Sequence, residues 1–337
     1  MKYLLILPWL LLILAGCQPR YSSAAATESD EELPEKLSEL GLFIGEPGKQ
    51  IPATGVHSYE LRTPLFSDYT LKYRFIKLPD KGHFEFRGPD ETLWFPEGTI
   101  IAKTFAYPVD QRNPELGHKL LETRILRKQG DTWQGASYVW NDEQTDAQQK
   151  ITGKIIPSSW IHTDGSTRQN DYIVPNANQC KGCHGNQNEP IGPKPRNLLH
   201  AEFARELLSS SSVVPLAIWN HPDSGSLHER AKAWLDINCA HCHNPSGPAR
   251  QSGLDLRYTQ NNPTQYGVLK APVAAGRGSG GRHFDIVPGK PDESIMVYRL
   301  ESTEPGIMMP ELPRRMVDEE GLSLIREWIS SLSPANE

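Results

Sequence analysis

The chain has 337 residues, 37% hydrophobic and 23% charged, with a formal net charge of -6. That length accommodates about two domains, each able to bury a core. The acidic balance excludes a nucleic-acid-binding role, which selects a basic face, and the composition is that of a globular chain without solenoid repeats.

Residues 1–16 read as a targeting segment. Lys2 supplies the positive start. Leu4 to Leu7 and Trp9 to Ala15 form an apolar run too short to span a bilayer comfortably. The run ends in Leu14-Ala15-Gly16-Cys17, which resembles a bacterial lipobox. The resemblance implies that Cys17 becomes the first mature residue and is lipidated on its sulfur and its new amine. Durable anchoring takes more than one acyl chain, and this chemistry supplies them. Residues 22–35 are small, polar and acidic, so 17–50 is expected to be a flexible tether. No later stretch approaches the ~20 apolar residues of a membrane-spanning helix.

Residues 51–165 predict strands. Leu71, Tyr73 and Phe75 alternate with Lys72 and Arg74, and Phe84 and Phe86 with Glu85 and Arg87. Leu121, Thr123 and Ile125 alternate with Glu122 and Arg124, and 99–107 and 133–140 are aromatic and β-branched runs. Period-two alternation between turn residues predicts an antiparallel, sandwich-like domain. Asp68, His118, Glu122 and Asp142 are scattered and form no catalytic constellation.

Five cysteines remain to be placed. Cys17 belongs to the leader, and the other four form Cys180-Lys181-Gly182-Cys183-His184 and Cys239-Ala240-His241-Cys242-His243. C-x-x-C-H is the attachment signature of c-type haem: two thiols form thioethers with the vinyl groups, and the adjacent histidine ligates iron. A zinc site uses C-x-x-C pairs about 15–20 residues apart, and these two are much further apart. A disulfide framework gives no reason for a histidine after both pairs, and a thioredoxin-like pair needs a βαβ setting that neither has.

From residue 166 the chain turns to loops and short helices. Pro175, five residues before Cys180, predicts that no regular helix runs into the first motif. Ser226 and Glu229 form a capping box ahead of a helix over 226–238, and Asp318 caps a last helix with Leu322, Ile325 and Ile329 on its apolar face.

Residues 226–333 resemble a small cytochrome c domain: a helix entering C-x-x-C-H, a long loop, a methionine beside a proline, and a closing helix. The stretches Val287-Pro288-Gly289-Lys290-Pro291-Asp292-Glu293-Ser294 and Gly306-Ile307-Met308-Met309-Pro310 carry that likeness. It implies His243 as fifth ligand and Met309 as sixth, with Met308 as rival, and thioether ligation raises a haem potential. No methionine lies near the first motif, so the sixth ligand of His184's haem is a histidine, absent, or lent; His200 and His162 are nearest in sequence. Thr63-Pro64-Leu65-Phe66-Ser67-Asp68-Tyr69, Phe95-Pro96-Glu97-Gly98-Thr99, Glu122-Thr123-Arg124 and Trp140-Asn141-Asp142-Glu143 resemble an uncharacterised family of exported bacterial lipoproteins with a β domain and two such motifs. Some of its members accompany quinoprotein-type sugar dehydrogenase domains, which implies an accessory role in electron transfer.

The expected fold is α+β and multidomain: leader 1–16, tether 17–50, a β-sandwich-like domain over 51–165, a first haem-motif segment over 166–225, and a helical, loop-rich cytochrome c-like domain over 226–337. The expected function is electron transfer in the periplasm by a lipid-anchored membrane protein with two covalent haem c groups. Cys180, Cys183 and His184 would hold one, and Cys239, Cys242, His243 and Met309 the other. The expected partner is a redox protein such as a quinoprotein-type dehydrogenase. Two alternatives stay open: a peroxidase-type haem enzyme with an open first haem, and a haem-stapled binding module whose β domain holds a ligand.

Overall fold

The computed structural model describes residues 32–333 apart from 81, 211, 274 and 313. The leader, Cys17 and residues 18–31 of the expected tether lie outside the described residues.

Period-two alternation does produce strands. They are β1 (Val56–Leu61), β2 (Leu71–Lys77), β3 (Ile100–Pro108), β4 (His118–Gln129), β5 (Thr132–Trp140), β6 (Ala147–Gln149), β7 (Lys154–Ile161), β8 (Thr167–Val174) and β9 (Leu198–Ala201). Seven form one antiparallel sheet in the order β6-β5-β4-β3-β2-β1-β9, and β7 and β8 form a separate ribbon. The helices are α1 (Ala177–His184), α2 (Arg205–Ser210), α3 (Leu227–Asn238), α4 (Ile295–Glu301) and α5 (Glu319–Ser331). The fold is therefore mixed α+β, and the described residues fall in one compact unit.

One face of the sheet buries Phe75, Ala102, Ala106, Leu120, Ile125 and Tyr138 beneath Leu33, Leu37, Leu40 and Leu42. This corrects the tether expected over 17–50: from residue 32 the chain is packed, because four leucines remove a large apolar area from water. On the opposite face, Phe105, Tyr107, Leu121 and Val139 meet Trp160, Tyr172 and Val174 of the ribbon. Further along that face, Ile76, Ile101 and Trp133 meet Phe95 and Leu198. The second layer is thus a two-stranded ribbon with loops. The strand expected around Phe84 and Phe86 reduces to a single bridge between Glu85 and Trp94. The strand region also runs past residue 165: β8 completes the ribbon, and β9, beyond the first C-x-x-C-H motif, pairs with β1.

The two long helices begin where their caps predicted. Ser226 and Glu229 form a reciprocal capping box on α3, and Asp318 accepts from the Gly321 N–H on α5. The two helices pack through Trp234, Leu235, Leu324, Ile325, Trp328 and Ile329. Trp234 Nε1 also donates to Asp318 at 2.9 Å. Gly321 lies at this approach, and a Cβ there would press on the Trp234 indole nitrogen. At the first motif the structure differs from expectation. Asn176 and Gln179 form a second capping box, so α1 starts immediately after Pro175 and contains the motif itself. A proline ahead of the cap removes no helical hydrogen bond.

Residues 63–69 clamp the sheet to the helices. Thr63 Oγ1 donates to the Ala217 carbonyl at 2.8 Å, and the Phe66 N–H donates to Asn238 Oδ1 at 2.8 Å, one residue before Cys239. Buried Asp68 accepts from the backbone N–H groups of Arg315 and Met316. Tyr69 donates to Glu320 at 3.0 Å. Among the described residues, no helix is long and apolar enough to cross a membrane.

Candidate functional site

The fold brings the two C-x-x-C-H motifs together. Cys183 and Cys242 line one cavity, and Cys242 Sγ is 3.9 Å from the carbonyl oxygen of Gly182, the residue before Cys183. The Cys242 thiol holds the Cys183 thiol well below the usual thiol range, and Cys183 in turn pushes the Cys242 thiol up. The cavity measures about 480 Å³ and is lined by Cys183, Cys239, Cys242, His243, Met296, Met309, Leu254 and Leu300. Its walls are mostly apolar, as in pockets that enclose a large planar ligand.

Each motif histidine is fixed in one tautomer. His243 Nδ1 is 3.0 Å from Ser252 Oγ, whose own hydroxyl donates to the Ala249 carbonyl at 2.8 Å. His243 Nδ1 is therefore the donor, and Nε2 carries the lone pair. His184 Nδ1 lies 2.7 Å from the Glu189 carbonyl, which only accepts, so the same tautomer follows. Burial pushes both imidazoles down to about 4. Both are neutral at pH 7, and a neutral imidazole with its second nitrogen tied back is the form that ligates a metal. Burial pushes the Cys239 thiol up to about 12.

The loop carrying Met309 is held by one guanidinium. Arg314, itself buried, donates to the carbonyls of Met309, Met316, Arg299, Leu300 and Ser302. Met309 faces the cavity with His243, and Met308 is not in the lining. Met296, at the start of α4, does line it, a third thioether that chain order alone did not single out. The lining thus includes the Cys239 and Cys242 thiols, the His243 imidazole and the Met309 thioether, the residue types that covalent haem attachment with His–Met ligation requires.

The first motif has a more polar setting. α1 is anchored through the loop that follows it: the Trp133 N–H donates to the Gln187 carbonyl, and Asn188 Nδ2 donates back to the Trp133 carbonyl. Cys180 and His184 lie within electrostatic reach of Arg124 on β4. Arg124 makes a two-pronged pair with fully buried Glu122, at 2.9 Å on each prong, and Tyr172 donates to the same carboxylate. Thr123, between them, faces the other side, where it bonds Thr104 and Trp140. The Glu122-Thr123-Arg124 motif is thus a strut beneath the first site.

The two histidines nearest in sequence lie elsewhere. His162 packs edge-on against Tyr69 with Nε2 3.7 Å from Glu320. His200, on β9, lines a separate cavity whose walls include none of Cys180–His184. The histidine that does approach the first motif is His241, which lies close enough to Cys183 to lower its pKa and whose Nδ1 is buried without a partner. Its signal was present as an extra histidine inside the second pentapeptide. Among the described residues, no group of three or more Cys, His, Asp or Glu side chains could hold a metal ion. Comparison with family models, curated proteins and solved structures returns no match.

Proposed function

We propose that this protein is a c-type cytochrome of the bacterial periplasm that carries two covalent haems and passes single electrons. In this reading residues 226–333 act as a cytochrome c-like domain. The observation that carries it is that Cys183 and Cys242 line one cavity, which Cys239, His243 and Met309 also line. Two attachment motifs that open on one cavity give electrons a short path between carriers. When bound, haem supplies reversible one-electron chemistry at iron. The chain's own part is to attach it, present His243 and Met309, and exclude water with Leu254 and Leu300. The same reading makes Cys17 the lipid anchor and a periplasmic dehydrogenase of quinoprotein type the electron donor. Cys17→Ser is then expected to release the protein from the membrane fraction.

The test is the intact mass of the full chain exported from a host that matures c-type cytochromes. Two haem additions are expected, falling to one in Cys180→Ser/Cys183→Ser and to one in Cys239→Ser/Cys242→Ser. A single addition in the parent protein restricts the reading to Cys239–His243, and no addition overturns it. The rival reading, a peroxidase-type enzyme with an open first haem, draws support from His162 and His200 lying away from the first motif. Binding of peroxide to that haem in the visible spectrum would favour it.

A further inference from the structure

Between β1 and β2 the chain takes a strained step. Asp68 and Tyr69 both hold left-handed backbones, at φ 50° and 61°. Such a conformation costs a non-glycine residue free energy, and it persists only where the surroundings dictate it. At Asp68 they do. Its carbonyl accepts from the Tyr107 hydroxyl at 2.7 Å, and Asn170 Nδ2 donates to that hydroxyl oxygen at 3.0 Å. Tyr107, on β3, stacks on Trp160 of the ribbon with ring centroids 4.2 Å apart. The Asp68 backbone is thereby tied to the sheet and the ribbon.

Its carboxylate serves a distant segment. Oδ1 accepts from the N–H groups of Arg315 and Met316 at 2.8 and 2.9 Å, and Oδ2 lies 3.0 Å from the Arg315 nitrogen. Asp68 is 1% exposed, and among the described residues its oxygens are met by amide N–H groups and by no cation. A buried carboxylate is costly unless such donors are aimed at it. The segment it grips follows Met309. Arg314 joins the carbonyls of Met309 and Met316, at 3.0 Å each, so fixing Met316 also fixes Met309. The Met316 side chain packs on the same cluster as Tyr107 and Trp160. An unbroken set of contacts thus runs from Tyr107 through Asp68, Met316 and Arg314 to Met309 in the cavity wall.

We propose that Asp68 is a positioning residue for the second centre: from the sheet it sets where Met309 stands in the cavity wall, and so whether the thioether reaches an iron that His243 holds. This rests on the redox reading above, in which Met309 is an axial ligand. Tyr69, the next residue, provides the contrast. Its hydroxyl accepts from the Glu319 N–H and donates to Glu320, so it joins the same two regions at α5 and not at the segment after Met309.

The test is the visible spectrum and the potential of the full-length, haem-loaded protein. Asp68→Ala is expected to lose the sulfur-to-iron band and to lower the potential of one centre, with both haem additions still present by mass. Asp68→Asn, whose amide oxygen still accepts from both N–H groups, is expected to keep the band. Tyr69→Phe is expected to lower the melting temperature and keep the band. Should Asp68→Ala fail to fold, Tyr107→Phe decides: it unties the Asp68 carbonyl, leaves the stacked ring, and is expected to weaken the band. An unchanged band in the deciding variant overturns the proposal and makes Asp68 a packing contact only. So does a band lost in Asp68→Asn or in Tyr69→Phe, or a haem-loaded parent that lacks the band. Haem count separates the two readings. A parent without haem ends the redox reading and this proposal together, whereas two haems with an unchanged band in Asp68→Ala end this proposal alone.

Discussion

The two C-x-x-C-H motifs share a pentapeptide and little else. The second follows α3, a helix with most of its length buried. Its histidine opens on an apolar cavity with a thioether across it. The first sits within α1, an eight-residue helix with no buried residue, near the charges of Arg124 and Glu122. The cysteines and histidine settle what can be attached, and the surroundings settle how the attached group behaves. Thioether ligation in an apolar pocket raises a haem potential, whereas polar, half-buried surroundings act differently on it. On the proposed haem reading, two such settings would give one higher-potential and one lower-potential centre.

The contrast breaks most sharply at the thioether. Met309→His is expected to lower the potential of one of two centres by about 0.2 V, a fraction of the ~0.8 V range that axial ligands set. It should also abolish the sulfur-to-iron band of the oxidised protein. Met308→Leu should leave both unchanged. If Met296→Leu removes the band and Met309→Leu does not, the ligand comes from α4 and not from the proline loop.

Arg314→Ala is the next largest. It strips the donors from five carbonyls at once and is expected to cost about 3 kcal/mol by urea denaturation. Because the loop it holds carries Met309, the second centre should lose its thioether signature and the first should keep its own spectrum. An equal change at both centres would show that the sites do not differ in the way described.

The two capping boxes give a matched pair of smaller perturbations. Ser226→Ala and Asn176→Ala each remove a side-chain acceptor and are expected to cost about 1 kcal/mol locally. The first should lower the global melting temperature, because α3 is part of the core. The second should appear mainly as faster amide exchange over 177–184, because α1 buries nothing.

A further effect concerns pH. Burial, then the neighbouring Arg74, push Lys72 down to about 7 from an ordinary value of 10.5, against the pull of Asp318 and Asp68. Between those values the unfolded chain binds more protons than the folded one. Stability is therefore expected to rise from pH 7 toward pH 10 and to be flat in this respect below 7. Lys72→Met should remove that part of the slope in urea midpoints measured across the window.

Much of this molecule is written locally. Strands β2 and β4 follow from alternation, β3 and β5 from aromatic and β-branched runs, and α3 and α5 from Ser226, Glu229 and Asp318, because such signals act within a few residues. Pro175 misled: a proline excludes helix interior and tolerates helix start, and Asn176 with Gln179 decided which applied. The alternation at Phe84 and Phe86 misled as well, because a strand also needs a partner, and only Trp94 offers a bridge. The tether expected over 17–50 rests on the small, polar, acidic composition of 22–35, and only the sheet face that the leucines over 33–42 cover explains their packing.

By itself the sequence determined two C-x-x-C-H motifs, a methionine beside a proline, and caps that start the helices around them. Those are covalent and short-range facts. Only the tertiary structure decided that Cys183 and Cys242 line one cavity, that Met309 and not Met308 lines it, and that Arg314 pins its loop. Each of these joins residues far apart in the chain. Such pairings depend on which surfaces bury one another, and no local period records that.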